Sequence, residues 1–66
     1  MKVILNGEKN DIKENLTVRG LLAELKIESQ RVAVEVNMKI IKKADYDGHV
    51  LNEGDAIEVV SFVGGG

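Results

Sequence analysis

Ala56-Ile57-Glu58-Val59-Val60-Ser61-Phe62-Val63 is a run rich in β-branched and aromatic residues, and it reads as a strand. It is the longest and most apolar strand candidate in the chain, and a strand of that kind belongs in the middle of a sheet with apolar residues on both faces. Asn52-Glu53-Gly54-Asp55, behind the anchor Leu51, is the turn chemistry that feeds it. After it the chain ends on Gly64-Gly65-Gly66, three of its seven glycines. Glycine has no Cβ, so these residues are expected to form a thin, mobile tail able to enter a channel closed to other residues. Its last group is the unhindered carboxylate of Gly66. A frayed end or the remnant of a tag has the same form, so the rest of the chain must decide.

The chain opens on Met1, Val3 and Leu5 alternating with Lys2 and Ile4, followed by Asn6-Gly7, the dipeptide favoured where both turn residues need positive φ. That predicts a hairpin whose return limb, Glu8 to Lys13, is a charged edge strand. Thr17 is the expected N-cap of one amphipathic helix over Val18 to Lys26, with Leu16 stapled onto Leu21 and an apolar face of Val18, Leu21, Leu22 and Leu25. Gly20 inside it costs on the order of 1 kcal/mol against alanine, a cost expected where helix backbone lies close against a sheet. Ile27 to Arg31 connects to a strand with Val32, Val34 and Val36 on its buried face. Asn37-Met38 turns that strand into Lys39-Ile40-Ile41. Lys42 to His49 loses periodicity and reads as a surface loop, with one helical turn near Ala44 to Tyr46.

Hairpin, helix, strand pair, loop and a central last strand give the order ββαββ. With the first and last strands adjacent and parallel, the fold class is α+β: a β-grasp, ubiquitin-like mixed sheet with one helix packed across one face. The domain is expected over residues 1–63 and the tail over 64–66. Leu5, Leu16, Ile40, Leu51, Ile57 and Val59 join the helix and strand residues named above, and Val3, as core candidates.

Composition narrows the function. At 66 residues the chain is a single domain, and one of this size buries only about 60% of its unfolded surface. A net charge of −2 gives no footprint for nucleic acid or an anionic membrane. No signal peptide or spanning run is visible, so a cytoplasmic location is expected. With no cysteine, thiol nucleophiles and thiolate metal sites are excluded, and a single histidine with only Ser29 and Ser61 makes no triad. Asp45-Tyr46-Asp47-Gly48 hints at calcium, but no glycine and glutamate follow in register, so a solvated turn is the better reading. Tyr46 and His49 read as loop residues, and Lys42-Lys43 as a solvated edge able to meet an acidic partner. Alternation puts Val60 and Phe62 on the open face of the sheet near Ala33, where they are candidate partner-docking residues.

Asn6, Thr17-Val18 with Leu21-Leu22, Val32 to Asn37, the L-x-x-G-D-x-I segment Leu51 to Ile57 and the closing Phe62-Val63-Gly64-Gly65-Gly66 together resemble the sulfur carrier family of thiamine biosynthesis, ThiS. The resemblance covers essentially the whole chain. It implies that Gly66 is adenylated by an E1-like enzyme of the ThiF type using Mg-ATP, with no cofactor resident in the chain. A sulfur donor enzyme then converts Gly66 to a thiocarboxylate, which a thiazole synthase of the ThiG type consumes. Gly64 and Gly65 would thread the partner channels, and the chain would be a carrier rather than an enzyme. The small subunit of molybdopterin synthase is a related carrier, but it is usually longer and tends to have proline before its Gly-Gly; this chain has no proline. A β-grasp adaptor without acyl chemistry and a ubiquitin-like modifier remain as alternatives.

Overall fold

A computed structural model describes residues 1–62; Val63 and the expected tail Gly64, Gly65 and Gly66 lie outside the described residues. The strands are β1 (Lys2–Leu5), β2 (Glu8–Asp11), β3 (Val32–Val36), β4 (Lys39–Ile41) and β5 (Ala56–Ser61), and one helix, α1, spans Val18–Glu24. Short 3-10 turns stand at Ser29–Arg31, in the connection after the helix, and at Lys43–Asp45, inside the expected loop. The five strands form one sheet in the order β2-β1-β5-β3-β4. β5 runs parallel to β1 and antiparallel to β3, so this is the β-grasp arrangement implied by the element order.

Two tight turns set the registers. Asn6 and Gly7 both have positive φ (49° and 84°), and Leu5 stands opposite Glu8. Both central residues at positive φ match the right-handed twist of the flanking strands. Asn37 and Met38 repeat the device at φ 53° and 72° without a glycine. Val36 therefore opposes Lys39, and Val34 opposes Ile41. This register overturns the expectation for Ile40: Ile41 faces inward beside Val34, whereas Ile40 is 73% exposed. A strand pair closed by a two-residue turn fixes which of two neighbouring isoleucines is buried.

The helix also ends earlier than its apolar spacing implied. Leu25 is the C-cap, and Lys26 takes the left-handed conformation at φ 59°. The Lys26 N–H donates to Ala23 O (3.1 Å) and the Ile27 N–H to Leu22 O (2.9 Å), the paired bonds of a Schellman stop. The chain reverses there, so Leu25 turns to the surface at 40% exposure and Ile27 packs on the core in its place. At the other end Thr17 caps as expected, its Oγ1 accepting from the Gly20 N–H at 3.0 Å. The reason for Gly20 differs from the expected approach to the sheet. A Cβ there would stand 2.8 Å from Leu16 Cδ1 and 3.3 Å from Thr17 Oγ1, so the residue before the cap, folded over the first turn, occupies that space.

Val3, Val18, Leu21, Leu22, Val32, Val34, Val36, Leu51 and Ile57 form the core as the sequence implied, with Leu5, Leu16 and Val59 partly buried against it. Tyr46 joins them at 1% exposure: it stands in the loop as expected, but its ring belongs to the core. Its carbonyl accepts from the Arg19 N–H at 3.0 Å, which ties the loop to the start of α1. The open face of β5 carries apolar residues as expected of a central strand, but it is not buried: Ala56, Glu58 and Val60 are exposed there, since the helix covers one side only.

Two outcomes follow from this architecture. Lys26→Gly removes a left-handed penalty of roughly 1 kcal/mol and gives part of it back as unfolded-state entropy, so it stabilises the chain by about 0.5 kcal/mol in a denaturant melt. Asp55 is buried, and its Oδ2 accepts from the Asn52 N–H (2.8 Å) while Oδ1 accepts from Asn37 Nδ2 (3.0 Å). Asp55→Ala strands both donors and destabilises by about 2 kcal/mol in the same measurement.

Candidate functional site

The end of β5 is where the described chain comes nearest the expected reactive terminus; the strand is held from both sides as far as Val59 and from the β3 side beyond it. On the β1 side the Ile4 N–H donates to Asp55 O (2.9 Å) and the Asn6 N–H to Ile57 O (2.8 Å). The Asn6 side chain then carries the ladder one rung beyond the turn, its Oδ1 accepting from the Val59 N–H at 2.8 Å. On the β3 side the pairing runs from Val36 opposite Ile57 to Val32 opposite Ser61. The Phe62 N–H closes it by donating to Arg31 O at 2.9 Å. The start of β5 is pinned by Asn37, whose N–H donates to Ala56 O (2.7 Å) and whose Oδ1 accepts from the Ala56 N–H (3.0 Å).

Val60 and Phe62 are both exposed, at 52% and 57%. Val60 stands opposite Ala33, as the alternation implied. Phe62 lies beyond the last strand residue, and its ring centroid is 5.4 Å from the ammonium of Lys43. It also lines a shallow depression with Lys26, Ile27, Arg31 and Ser61. The two residues therefore have different surroundings. Gly64, Gly65 and Gly66 lie outside the described residues.

Lys43 is exposed, as its sequence context implied, but its ammonium is also tethered. Its Nζ donates to Ser29 O and Val32 O, each at 2.9 Å, and lies 5.7 Å from the Tyr46 ring centroid as well as near Phe62. An ammonium satisfied by carbonyls and faced by two aromatic rings is favourable because the ring faces are electron-rich. The long side chain thus joins the loop after β4, the entry to β3 and the exit of β5. Lys42 next to it is exposed as well. Nothing in the polar stretch Lys42 to Asp47 distinguished Lys43 from its neighbour; the only signal was the single tyrosine of the chain three residues on, since an aromatic in a polar loop generally finds a place to bury its ring.

The remaining titratable groups lie elsewhere. Asp11 is held below the usual carboxylate range, first by a hydrogen bond from the α-amino group of Met1 and then by Lys2. That amino group is raised in turn, chiefly by Asp11. Both sit beside the start of β1, at the opposite end of the sheet from Phe62. In the Asp45 to Gly48 turn, the Asp45 carbonyl accepts from the N–H groups of Gly48 (3.1 Å) and His49 (2.9 Å), and the Asp47 carboxylate pairs with Arg19. Among the described residues no group of three or more His, Cys, Asp or Glu side chains is arranged to hold a metal. No described helix is long and apolar enough to cross a membrane. What the site offers is a fixed strand end, and no described constellation beside it has the makings of an acid, a base or a nucleophile.

Comparison with known proteins is consistent along the whole length. The model of the ThiS family matches residues 3–66. A thiazole synthase of Paramagnetospirillum magneticum is 44% identical over 66 residues, which is all of this chain but only 20% of that protein. The sulfur carrier protein ThiS of Bacillus subtilis is 43% identical over 63 residues, covering 94% of this chain and 96% of its own. The crystal structure of the thiamine biosynthesis protein ThiS from Geobacter metallireducens superposes with a TM-score of 0.87 at 33% identity, covering 100% of both chains. With its β-grasp sheet and a family match that runs through Gly66, the chain belongs to the ThiS family, the ubiquitin-like sulfur carriers of thiamine biosynthesis.

Proposed function

We propose that the chain carries sulfur as a thiocarboxylate on Gly66. The supporting observation is that the family match extends through Gly66, directly after a strand whose final rungs are hydrogen-bonded up to Phe62. A carboxylate is a poor acyl donor until a leaving group is attached. An E1-like adenylating enzyme of the ThiF type supplies one: a carboxylate oxygen of Gly66 attacks the α-phosphorus of Mg-ATP, pyrophosphate leaves, and an acyl adenylate forms. A sulfur donor enzyme then delivers sulfur to the carbonyl carbon, AMP departs with its oxygen, and the thiocarboxylate remains. A thiazole synthase of the ThiG type takes that sulfur for the thiazole ring.

The thiazole synthase that contains a stretch 44% identical to this whole chain supports that last partnership, because two activities joined in one protein act on each other's products at high effective concentration. In this scheme the chain is a cosubstrate. It binds no cofactor of its own, and ATP and magnesium belong to the adenylating enzyme. Its contribution is to present a main chain without side chains, since glycines at 64, 65 and 66 fit a passage too narrow for a Cβ. Val60 and Phe62 are the apolar contacts that seat the chain on its partners, Phe62 being the aromatic anchor next to the tail. The ring is presented in a fixed place because Lys43 lies against it.

Removing Gly66, or replacing Gly65 with valine, abolishes thiocarboxylate formation when the chain is incubated with the adenylating enzyme, ATP and a sulfur source. Intact mass reads the reaction as one oxygen exchanged for sulfur. Stability stays within about 0.5 kcal/mol of the parent in a thermal melt, because neither change deletes a core side chain. A truncated chain that still gains sulfur shows that Gly66 is not the acceptor. Phe62→Ala weakens binding to both partner enzymes, on the order of tenfold, while the melting temperature stays close to that of the parent. Calorimetric titration checks it, and unchanged affinity for both partners counts against Phe62 as an anchor.

A further inference from the structure

The antiparallel register of β3 and β5 places Glu35 directly opposite Glu58. Alternation puts both on the face away from α1, since Val34, Val36 and Ile57 on either side of them are buried in the core. Like charges directly opposite in a sheet destabilise it, and these stand on the central strand β5 and on its interior neighbour β3. No ion pair among the described residues involves either carboxylate. Charged edges are a common defence against aggregation, but that device belongs on edge strands, and the edges here are β2 and β4. The acidic pair is flanked by exposed apolar side chains. Ile40 opposes Glu35 on β4, and Val60 stands one open-face position along from Glu58.

We propose that Glu35 and Glu58, flanked by Ile40 and Val60, form a recognition site for an arginine side chain set in an apolar surface of the adenylating enzyme. A guanidinium presents its donors as a planar fork and spans two carboxylates at once, and it is desolvated more readily than an ammonium. The repulsion within the free sheet becomes attraction to the incoming cation, and a polyanion such as RNA is turned away from the same face. Chain length ties this surface to the enzyme that acts on Gly66. Four residues beyond Phe62 span at most roughly 14 Å when fully extended. Whatever holds the Gly66 carboxylate must therefore come close to the exit of β5 and the open face beside it. The inference rests on the carrier reading only in naming the partner.

Glu35→Gln, Glu58→Gln and the double variant, each in the full chain, are titrated calorimetrically onto the purified ThiF-type adenylating enzyme without ATP, at low and at physiological salt. Thermal melts of the free variants accompany the titrations. Each single change weakens binding on the order of tenfold, and the double variant also binds with a shallower salt dependence than the parent. The melting temperatures of the free variants equal or exceed that of the parent, because a repulsive pair has been relieved. A double variant that binds as tightly as the parent overturns the proposal, as does a loss of affinity matched by a lowered melting temperature, or a parent chain that does not bind the enzyme. Intact mass after full reaction separates the two readings. A parent that gains sulfur while the variants bind unchanged removes the docking site and leaves the carrier standing. A parent that binds in the charge-dependent way described but never gains sulfur keeps the docking site and removes the carrier.

Discussion

Everything in this small sheet depends on β5 being hydrogen-bonded along both of its edges. A parallel neighbour on one side and an antiparallel one on the other must both be in register with it, although β1 stops early and β3 ends one residue short of Ala56. Side chains make up the difference. Asn37 completes the pairing at Ala56 after β3 has turned away, and Asn6 does the same at Val59 after β1 has turned away. Asp55 orients Asn37 from below and holds the Asn52 turn that delivers the chain to β5. These three polar side chains take over where backbone partners run out, which is why they sit at turns, and why two of them adopt positive φ.

Most of this was visible in the sequence because it rests on local signals: alternation for β1 and β3, the Asn6-Gly7 turn, the Thr17 cap and the long final run. The two misplaced residues, Leu25 and Ile40, both stand next to a chain reversal, which apolar spacing by itself does not register. Leu25 continues the helical stripe, and with lysine instead of glycine at the left-handed position nothing in the sequence marked the stop. For Ile40 the information was present, since treating Asn37-Met38 as a two-residue turn already pairs Val34 with Ile41. Lys43 and Tyr46 were opaque for a different reason. Their placement depends on carbonyls of Ser29 and Val32 and on a ring at position 62, partners brought together only by the finished fold.

The candidate site divides in the same way. The glycine run Gly64-Gly65-Gly66 is legible in the sequence because its lack of side chains needs no tertiary contact to give it meaning. The surface that accompanies it is not, because an exposed valine or glutamate has the same appearance in sequence whether it faces solvent or a partner. Only the register shows that Glu35 and Glu58 meet, and only the strand order shows that they meet in the interior of the sheet.

A strand with a side-chain period of two can serve folding and recognition separately. On β5 the residues that face α1, Ile57 and Val59, bind the strand to the core and set its position to within a rung. The alternate residues, Glu58 and Val60, contribute little to that packing, so they are free to carry features that lower the stability of the isolated chain. A domain of this size has little stability to lose, and a like-charge pair in the interior of its sheet is tolerable only because the ladder on either side of it is complete. The same completeness fixes where the strand ends. On the proposed reading of Gly66 as the sulfur-bearing residue, the last fixed point before it has to be well defined, and the bond from the Phe62 N–H to Arg31 O, with Lys43 beside the ring, defines it within the sheet itself.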